Sequence, residues 1–329
     1  MPDPGVNAHR AHRTTSEGVT LASNISPSDV VRIKPARRLP SWLRKSLAPG
    51  QEAHSTDALI RDLGLHTICE SGNCPNKNEC WSQKTATFMI LGDKCTRNCG
   101  YCSVDLGKPL PPDPQEPQKL ADAVGRLGLQ HVVVTSVTRD DLDDEGAAHF
   151  GEVVHELKRR RPDCIIETLT PDFRRDQARA MRVFENLPID IFNHNIETVR
   201  RLHKKARPQG GYDLSLGLLR AASLSGRHWI VKSGIMTGLG ETKDEVVEAF
   251  GDLKAAGVQM VTVGQYLKSF AAGLDVERFV TPEEFETYKQ IGAEMGFLLV
   301  ESGPFVRSSY HAKDSFEKIR RHLGKAPLK

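Results

Sequence analysis

Residues 92–102 read Gly-Asp-Lys-Cys-Thr-Arg-Asn-Cys-Gly-Tyr-Cys, which spaces Cys95, Cys99 and Cys102 as C-x3-C-x2-C. An apolar, β-rich run precedes this stretch, so its three thiols lie on a loop that follows a predicted strand. Closely spaced thiolates on one loop are typical ligands of iron–sulfur clusters. The stretch therefore predicts an iron–sulfur site on a loop that leaves a strand.

A second cysteine triplet lies upstream, where Cys69, Cys74 and Cys80 are spaced C-x4-C-x5-C. Disulfides are typical of small secreted chains without a core, and structural zinc prefers paired C-x2-C ligands, which only Cys99 and Cys102 provide. Two successive triplets instead predict two [4Fe–4S] clusters. Each cluster would have three protein thiolates and one iron open to another ligand.

The seventh cysteine, Cys164, opens the apolar run Cys-Ile-Ile-Glu-Thr-Leu, which is typical of a strand. We expect Cys164 to be a small buried core residue and not the missing cluster ligand.

Downstream of residue 85, β-rich apolar runs alternate with helix-period patterns. Such alternation predicts an α/β fold with a parallel sheet and right-handed crossovers, curled into a partial (βα)6 barrel. The predicted strands are 87–91, 131–137, 165–169, 189–193, 229–236 and 260–267. The predicted helices are 117–129, 146–160, 174–186, 213–223, 242–256 and 282–296.

The 329 residues divide into four predicted segments, of which the second and fourth are extensions of the barrel. The N- and C-terminal extensions that flank the barrel are expected to cover its mouth. The segments are a flexible basic tail (1–50), an N-terminal extension with the first cysteine triplet (51–84), the partial barrel (85–296) and a C-terminal extension that contains Arg-Ser-Ser-Tyr (297–329).

Composition limits the classes of partner. A net charge of +3 argues against a broad nucleic-acid footprint, and no run of 18 apolar residues is present, so neither a nucleic-acid nor a membrane partner is predicted. The N-terminus has no apolar leader, and Asp3, Glu17 and Asp29 weigh against a transit peptide. A cytoplasmic location is therefore expected.

The C-x3-C-x2-C loop, with Tyr101 just before its last cysteine, resembles the signature of the radical S-adenosylmethionine (SAM) superfamily. The resemblance implies that the amino and carboxylate groups of SAM chelate the open iron. Electron transfer to SAM would then give methionine and a 5′-deoxyadenosyl radical. Tyr101 is expected to pack near the adenine, with a purely structural aromatic as the alternative.

Polar residues follow the predicted strands at the edge where βα barrels carry their chemistry. Thr135, Ser136, Glu167, Asn195 and Lys232 have the donors and acceptors that the carboxylate, ammonium and ribose of SAM require. We therefore predict that these five residues bind SAM.

Plain structural roles are the alternative for other polar residues at this edge. Asp172, Asp244 and Thr242 lie where helix N-caps or first-turn acids belong, and Gly238 and Gly240 could supply only a turn. His194 alone is more often a packed core histidine.

Longer stretches extend the resemblance to one family, the lipoyl synthases, over about residues 55–312. Its most specific parts are the first cysteine triplet and Arg-Ser-Ser-Tyr at residues 307–310. The matching stretches are 69–81, 86–93, 134–142, 192–198, 232–242 and 303–311.

The family resemblance implies the reaction. Two sulfur atoms would be inserted at C6 and C8 of a protein-bound octanoyl chain, because a radical can abstract hydrogen where no side-chain base can act. The cluster of the Cys69 triplet would be the auxiliary cluster and the sulfur donor. Its fourth ligand would be Ser309, with Ser308 as the alternative.

The resemblance also implies partners. The octanoyl chain would arrive on lipoyl domains of 2-oxo-acid dehydrogenase acyltransferase subunits or on the glycine-cleavage H protein. A low-potential donor such as ferredoxin or flavodoxin would supply electrons.

Three stretches depart from the family pattern as we expect it. They are the Ser-Gly-Asn spacer at 71–73, Lys94 before the first cysteine of the second triplet, and residues 268–276. The last departure bears on partner docking or on the substrate loop, and none changes a cluster ligand.

Two rival functions are weaker. A biotin-synthase-like sulfur-inserting enzyme would share the second triplet but lack the first triplet and Arg-Ser-Ser-Tyr. A non-catalytic iron–sulfur protein would not need the polar strand ends.

Overall fold

The structure, a computed structural model, describes residues 38–45, 51–82, 86–310 and 312–322. The chain divides into two compact units, Met1–Leu39 and Pro40–Lys329, and every described helix and strand belongs to the second. Of the predicted basic tail, residues 1–37 and 46–50 lie outside the described residues.

Ten strands and eleven α-helices are described in the second unit. The strands are β1 (His66–Thr67), β2 (Thr87–Ile90), β3 (Lys94–Cys95), β4 (Asp105–Leu106), β5 (His131–Ser136), β6 (Ile165–Leu169), β7 (Ile191–Asn193), β8 (Ile230–Thr237), β9 (Met260–Gln265) and β10 (Leu299–Gly303). The helices are α1 (Gln51–Asp62), α2 (Ile68–Ser71), α3 (Lys77–Ser82), α4 (Glu116–Leu127), α5 (Ala147–Arg160), α6 (Gln177–Phe184), α7 (Arg200–Ala206), α8 (Tyr212–Leu224), α9 (Lys243–Ala255), α10 (Pro282–Glu294) and α11 (Ala312–His322).

The predicted α/β partial barrel is confirmed. Eight strands form one open sheet in the order β1-β2-β5-β6-β7-β8-β9-β10, and every neighbouring pair from β2 to β10 is parallel. Strand β1 is the exception, because it pairs antiparallel with β2. All the predicted barrel strands and helices are present, with ends shifted by a few residues.

The C-terminal segment differs from a simple extension. Its strand β10 pairs with β9, so the sheet has one more parallel strand than the six predicted. Of its five residues only Val300 is buried, which makes its apolar signal weak. Helix α7 also went unpredicted, because seven residues are too short to show a clear helical period.

Capping residues explain where two helices begin. Asp176 accepts a hydrogen bond from the backbone of Arg179 at 2.8 Å, so α6 begins after Asp176 and not at the predicted residue 174. Thr242 and Glu245 form a reciprocal capping box at the start of α9. The N-cap alternative for Thr242 is therefore confirmed.

The core has two parts. The larger lies between the sheet and its surrounding helices and includes Cys164, which is 2% exposed, as predicted for a core residue. The smaller lies inside the barrel, where α11 presents Phe316 and Ile319 to the first residues of β6, β7, β8 and β9. Helix α11 thus packs at the end of the barrel opposite the predicted mouth.

Residues 40–45, within the predicted tail, are packed against the barrel unit. Leu43 in a short 3-10 turn is 3% exposed, and the Trp42 indole donates to the Val280 carbonyl at 3.2 Å. None of the helices in the described ranges is both long enough and apolar enough to cross a membrane.

Candidate active site

The second cysteine triplet lies on the loop that leaves β2, at the C-terminal edge of the sheet. Leu91 and Gly92 both have positive φ, at 69° and 96°, which turns the chain out of the strand. Cys95 then enters the short strand β3, which pairs with β4. The backbone N–H of Thr138 donates to the Cys95 sulfur at 3.3 Å, so the β5 loop contacts this thiol directly.

Arg97, inside the triplet, fixes the loop to neighbouring strand ends. Its side chain is 2% exposed, and it makes two hydrogen bonds to Asp140, Nε to Oδ2 at 2.8 Å and Nη2 to Oδ1 at 2.7 Å. The Arg97 guanidinium, followed by Thr96, outweighs burial and lowers the pKa of Asp140 to about 2. The cysteine loop is therefore held by a charge pair that persists throughout the neutral range.

Asp172 joins that pair to a second buried arginine. It is fully buried, and its two oxygens accept from Arg97 at 2.5 Å and from Arg207 at 3.2 Å. The N-cap alternative for Asp172 is wrong, because Asp176 caps α6. A carboxylate between two guanidiniums stabilises the loop in one geometry.

Tyr101 is half-buried and faces polar neighbours. Burial, followed by the charges of Glu197 and Cys99, raises the pKa of the Tyr101 phenol. Glu197 has a positive φ of 69°, and burial raises its pKa although Arg207, Asn195 and Tyr101 each lower it. The hydrogen bond between Tyr101 and Glu197 is compatible with a structural role for Tyr101. Packing of Tyr101 against adenine stays a prediction.

The first triplet lies on two short helices packed beside β2. Cys69 is in α2, Cys80 is in α3, and Cys74 lies between them. All three thiols are free of disulfides. Burial, then repulsion from Cys74, raises the pKa of Cys69 to about 11, and burial with both neighbouring thiols raises that of Cys80 to about 12. The Cys69 thiol is buried, those of Cys74 and Cys80 are half-buried, and the three lie in one short segment of the fold.

The C-terminal strap, residues 305–310, lies against this triplet. The Asn76 amide donates to the Phe305 carbonyl at 2.7 Å, and the Tyr310 hydroxyl donates to Glu79 at 2.8 Å. Lys45 contacts the same group from the N-terminal side, through a hydrogen bond to Asn76 at 2.7 Å and an ion pair with Glu79. Segments far apart in sequence thus meet at one place.

Burial holds thiols of both triplets in their protonated form. Burial first, then the other two thiols of the second triplet, raises the pKa of Cys102 to about 12. Thiols of this kind stay protonated at neutral pH unless a metal displaces the proton. No three His, Cys, Asp or Glu side chains among the described residues converge on a point that one metal ion could occupy.

The five predicted SAM-binding residues fall into two groups. Thr135 donates to the Leu169 carbonyl at 2.9 Å, and the buried Ser136 hydroxyl has no hydrogen-bond partner within the described residues. An orphaned hydroxyl at the end of β5 fits a polar ligand that binds there.

Glu167, Lys232 and Asn195 form the second group, which is committed to protein contacts. The Lys232 ammonium lies 2.8 Å from Glu167, and the Asn195 amide donates to the Ser308 hydroxyl at 2.7 Å. Burial would raise the pKa of Glu167, but Lys232, followed by His131, lowers it to about 2. SAM contact by these three residues stays a prediction.

His194 is a packed core histidine, as we expected for a lone histidine at this edge. It is 1% exposed, and its ring nitrogens lie 2.9 Å from the Thr170 carbonyl and 2.9 Å from the Ser215 hydroxyl. Gly238 and Gly240 both have positive φ and form the turn after β8.

Two of the three departures from the family pattern meet each other. Asn73, in the first triplet's spacer, donates to the Ser269 carbonyl at 3.4 Å. In the same loop, Leu274 donates through its backbone N–H to the Gly100 carbonyl at 2.8 Å. The loop at 268–276 therefore touches both cysteine loops, which places it beside the chemistry.

Sequence reasoning did not identify Arg97, Asp140, Asp172, Arg207 and Glu197 as site residues. Asp140 and Asp172 occur in polar stretches that follow strands, so their position was a usable signal. Nothing local distinguishes Arg207, which reaches the site only because α7 ends beside the cysteine loop, where the Gly100 N–H donates to the Ala206 carbonyl at 2.8 Å.

Comparison with known proteins agrees with this geometry. Residues 89–253 match the model of the radical SAM superfamily. The chain is 48% identical to the lipoyl synthase of Rubrobacter xylanophilus, over 86% of this chain and 88% of that protein. It is also 48% identical to the lipoyl synthase of Symbiobacterium thermophilum, over 91% and 96% of the two chains.

A solved structure supports the fold alone. The FeFe-hydrogenase maturase HydG from Carboxydothermus hydrogenoformans is 12% identical, with a TM-score of 0.56 over 81% of this chain and 69% of that one. Together, the superfamily match and relatives of near-equal length show that this chain belongs to the lipoyl synthase family of the radical SAM superfamily.

Proposed function

We propose that this radical SAM enzyme, a lipoyl synthase, inserts two sulfur atoms at C6 and C8 of a protein-bound octanoyl chain through two separate cluster sites. The observation that carries the two-site proposal is the strap, which brings Arg-Ser-Ser-Tyr to the Cys69 triplet through Asn76 and Glu79. A biotin-synthase-like enzyme would have no use for that contact.

The residues that would hold each group are separate. Cys95, Cys99 and Cys102 would hold the [4Fe–4S] cluster that binds SAM, and the Cys69 triplet would hold a second one. When bound, the first would supply the electron that cleaves SAM, and the second would supply sulfur.

Ser309 is the fourth ligand that we propose for the Cys69 triplet. The Ser308 hydroxyl is occupied by Asn195, with Nδ2 donating to Oγ at 2.7 Å, whereas the Ser309 hydroxyl makes no hydrogen bond to any described residue. A hydroxyl oxygen is a hard, weak ligand for iron beside thiolates, which suits an iron that must leave when sulfur is given up.

The remaining polar groups would orient and shield the reactants. Ser136 and Thr135 would bind polar groups of SAM at the end of β5. Arg97, with Asp140 and Asp172, holds the cysteine loop rigid around them. A preorganised loop spends less free energy on ordering when SAM binds.

The proposed partners follow from the reaction. Octanoylated lipoyl domains of 2-oxo-acid dehydrogenases or the glycine-cleavage H protein would bring the substrate chain. Ferredoxin or flavodoxin would bring electrons.

The direct test is mass spectrometry of an octanoylated lysine peptide after anaerobic incubation with SAM and a strong reductant. The expected product carries two added sulfur atoms, and omission of SAM should abolish it. The Ser309→Ala protein should cleave SAM but yield no sulfur-containing peptide, while Ser308→Ala should be milder. Full product from Ser309→Ala would remove Ser309 from the ligand set.

A further inference from the structure

Ser308 lies at the centre of a polar cluster that includes Lys232 and Asn195. The proposed ligand role of Ser309 does not by itself explain why its neighbour makes these contacts. The Ser308 backbone carbonyl accepts a hydrogen bond from the Lys232 ammonium at 2.5 Å. Its hydroxyl faces the Asn195 amide: Oγ accepts a hydrogen bond from Nδ2 at 2.7 Å and donates one to Oδ1 at 3.0 Å. The carbonyl and hydroxyl oxygens of this residue are therefore both held by side chains of the barrel.

The Lys232 ammonium is held in place by a buried carboxylate. The Lys232 side chain is 1% exposed, and its Nζ lies 2.8 Å and 3.1 Å from the two oxygens of the fully buried Glu167. Asn193 donates to the same carboxylate at 2.7 Å. A buried charge pair with every hydrogen bond satisfied is a rigid support, because any movement would leave a charge unpaired.

A second, independent observation places the strap against the barrel. A Cβ atom at Gly264, in β9, would lie 2.1 Å from the carbonyl oxygen of Val306. Real Cβ atoms do not approach backbone oxygens so closely, so only glycine allows the strap to lie here. The strap is thus fitted to β9 as well as tied to β8.

The opposite side of the strap faces the first cysteine triplet. The Phe305 carbonyl accepts a hydrogen bond from the Asn76 amide, and the Tyr310 hydroxyl donates one to the Glu79 carboxylate. Asn76 and Glu79 both lie between Cys74 and Cys80 in the sequence. Ser309 therefore stands between one residue fixed to the barrel wall and one fixed to the triplet.

We propose that Lys232 and Asn195 are positioning residues, which hold Ser308 as an anchor so that Ser309 is presented to the Cys69 triplet. Glu167 supports Lys232, and Gly264 provides the space. This inference rests on the proposed ligand role of Ser309 and assigns the neighbouring serine a mechanical role.

The first test measures amide hydrogen exchange in the cluster-free protein. Lys232→Met, Asn195→Ala and Gly264→Ala should each speed exchange in peptides that span residues 305–310 by about tenfold or more, while exchange in α5 stays as in the wild type. Asn195→Ala and Gly264→Ala leave the buried charge pair intact, so they remain informative if Lys232→Met does not fold.

Lys158→Met is the matched control. Lys158 also donates to a backbone carbonyl, that of Cys164 at 2.6 Å, and pairs with Asp190 at 3.2 Å, without contacting the strap. It should leave exchange at residues 305–310 unchanged. Unchanged exchange in all three anchor variants would overturn the proposal.

The second test uses iron-57 Mössbauer spectra of the reconstituted protein. The signature of an oxygen-ligated iron should disappear in the anchor variants and persist in Lys158→Met. If hydrogen exchange shows that the strap is loosened in these variants but the signature keeps its wild-type intensity, the anchor does not position Ser309. If Ser309→Ala keeps the signature too, the ligand role itself fails, and the exchange data still judge the anchor on its own.

Discussion

At the scale of single residues, the cysteine loop depends on how three buried charges are shared. Arg97 and Arg207 are both nine-tenths buried or more, and both donate to Asp172. A buried guanidinium without a carboxylate partner is costly, because it loses its hydration without compensation. The charge of Asp172 is therefore needed for the loop as well as for the fold.

We expect Asp172→Asn to lower the free energy of unfolding by about 3 kcal/mol, since one partner of a buried network becomes neutral. The measurement is urea unfolding of the cluster-free protein. The matched control is Asp57→Asn, which weakens surface ion pairs of a half-buried carboxylate with Arg61 and Lys77 and should cost at most about 1 kcal/mol. Similar costs for the two variants would contradict a structural role for the Asp172 charge.

At the scale of elements, α11 closes the end of the barrel away from the chemistry. Phe316 is 7% exposed and packs with Ile165, Ile191 and Ile230, which are the first residues of their strands. Its ring also meets His131 edge-on, with centroids 6.2 Å apart. The helix follows the strap directly, so its packing secures the strap's far end.

Truncation of this aromatic plug should therefore destabilise the protein. We expect Phe316→Ala to cost about 3 kcal/mol, from lost burial and the cavity left behind. Leu224→Ala, at a side chain that is 78% exposed, should change stability by less than about 0.5 kcal/mol. Thermal melting of both variants compares the two; equal melting temperatures would show that α11 contributes little to the core.

At the scale of the whole molecule, the two cysteine triplets should act on different half-reactions. Cys95→Ala should abolish 5′-deoxyadenosine formation, because no site for SAM-bound iron remains. Cys69→Ala should spare it and abolish sulfur insertion. Each variant should retain about four irons, against about eight in the wild type. Lipoyl product from Cys69→Ala would exclude the first triplet as the sulfur source.

The local sequence was sufficient to predict the fold class and the position of most barrel elements. The strand and helix patterns predicted the partial barrel, because apolar periodicity reflects which face of each element is buried. Cysteine spacing predicted two cluster loops for the same kind of reason: thiolates that share a cluster lie on one short stretch of chain. The core role of Cys164 followed from the run that it opens.

Tertiary structure alone decided which distant polar groups meet. Arg97 and Asp172 are 75 positions apart, Lys232 and Ser308 are 76 apart, and Asn195 and Ser308 are 113 apart. Local pattern records whether a residue is buried but not its partner across the barrel, since partners are set by strand order and register. Glu167 and Lys232 therefore had the right chemistry for a ligand in sequence, while the folded barrel brings them to each other and to the strap.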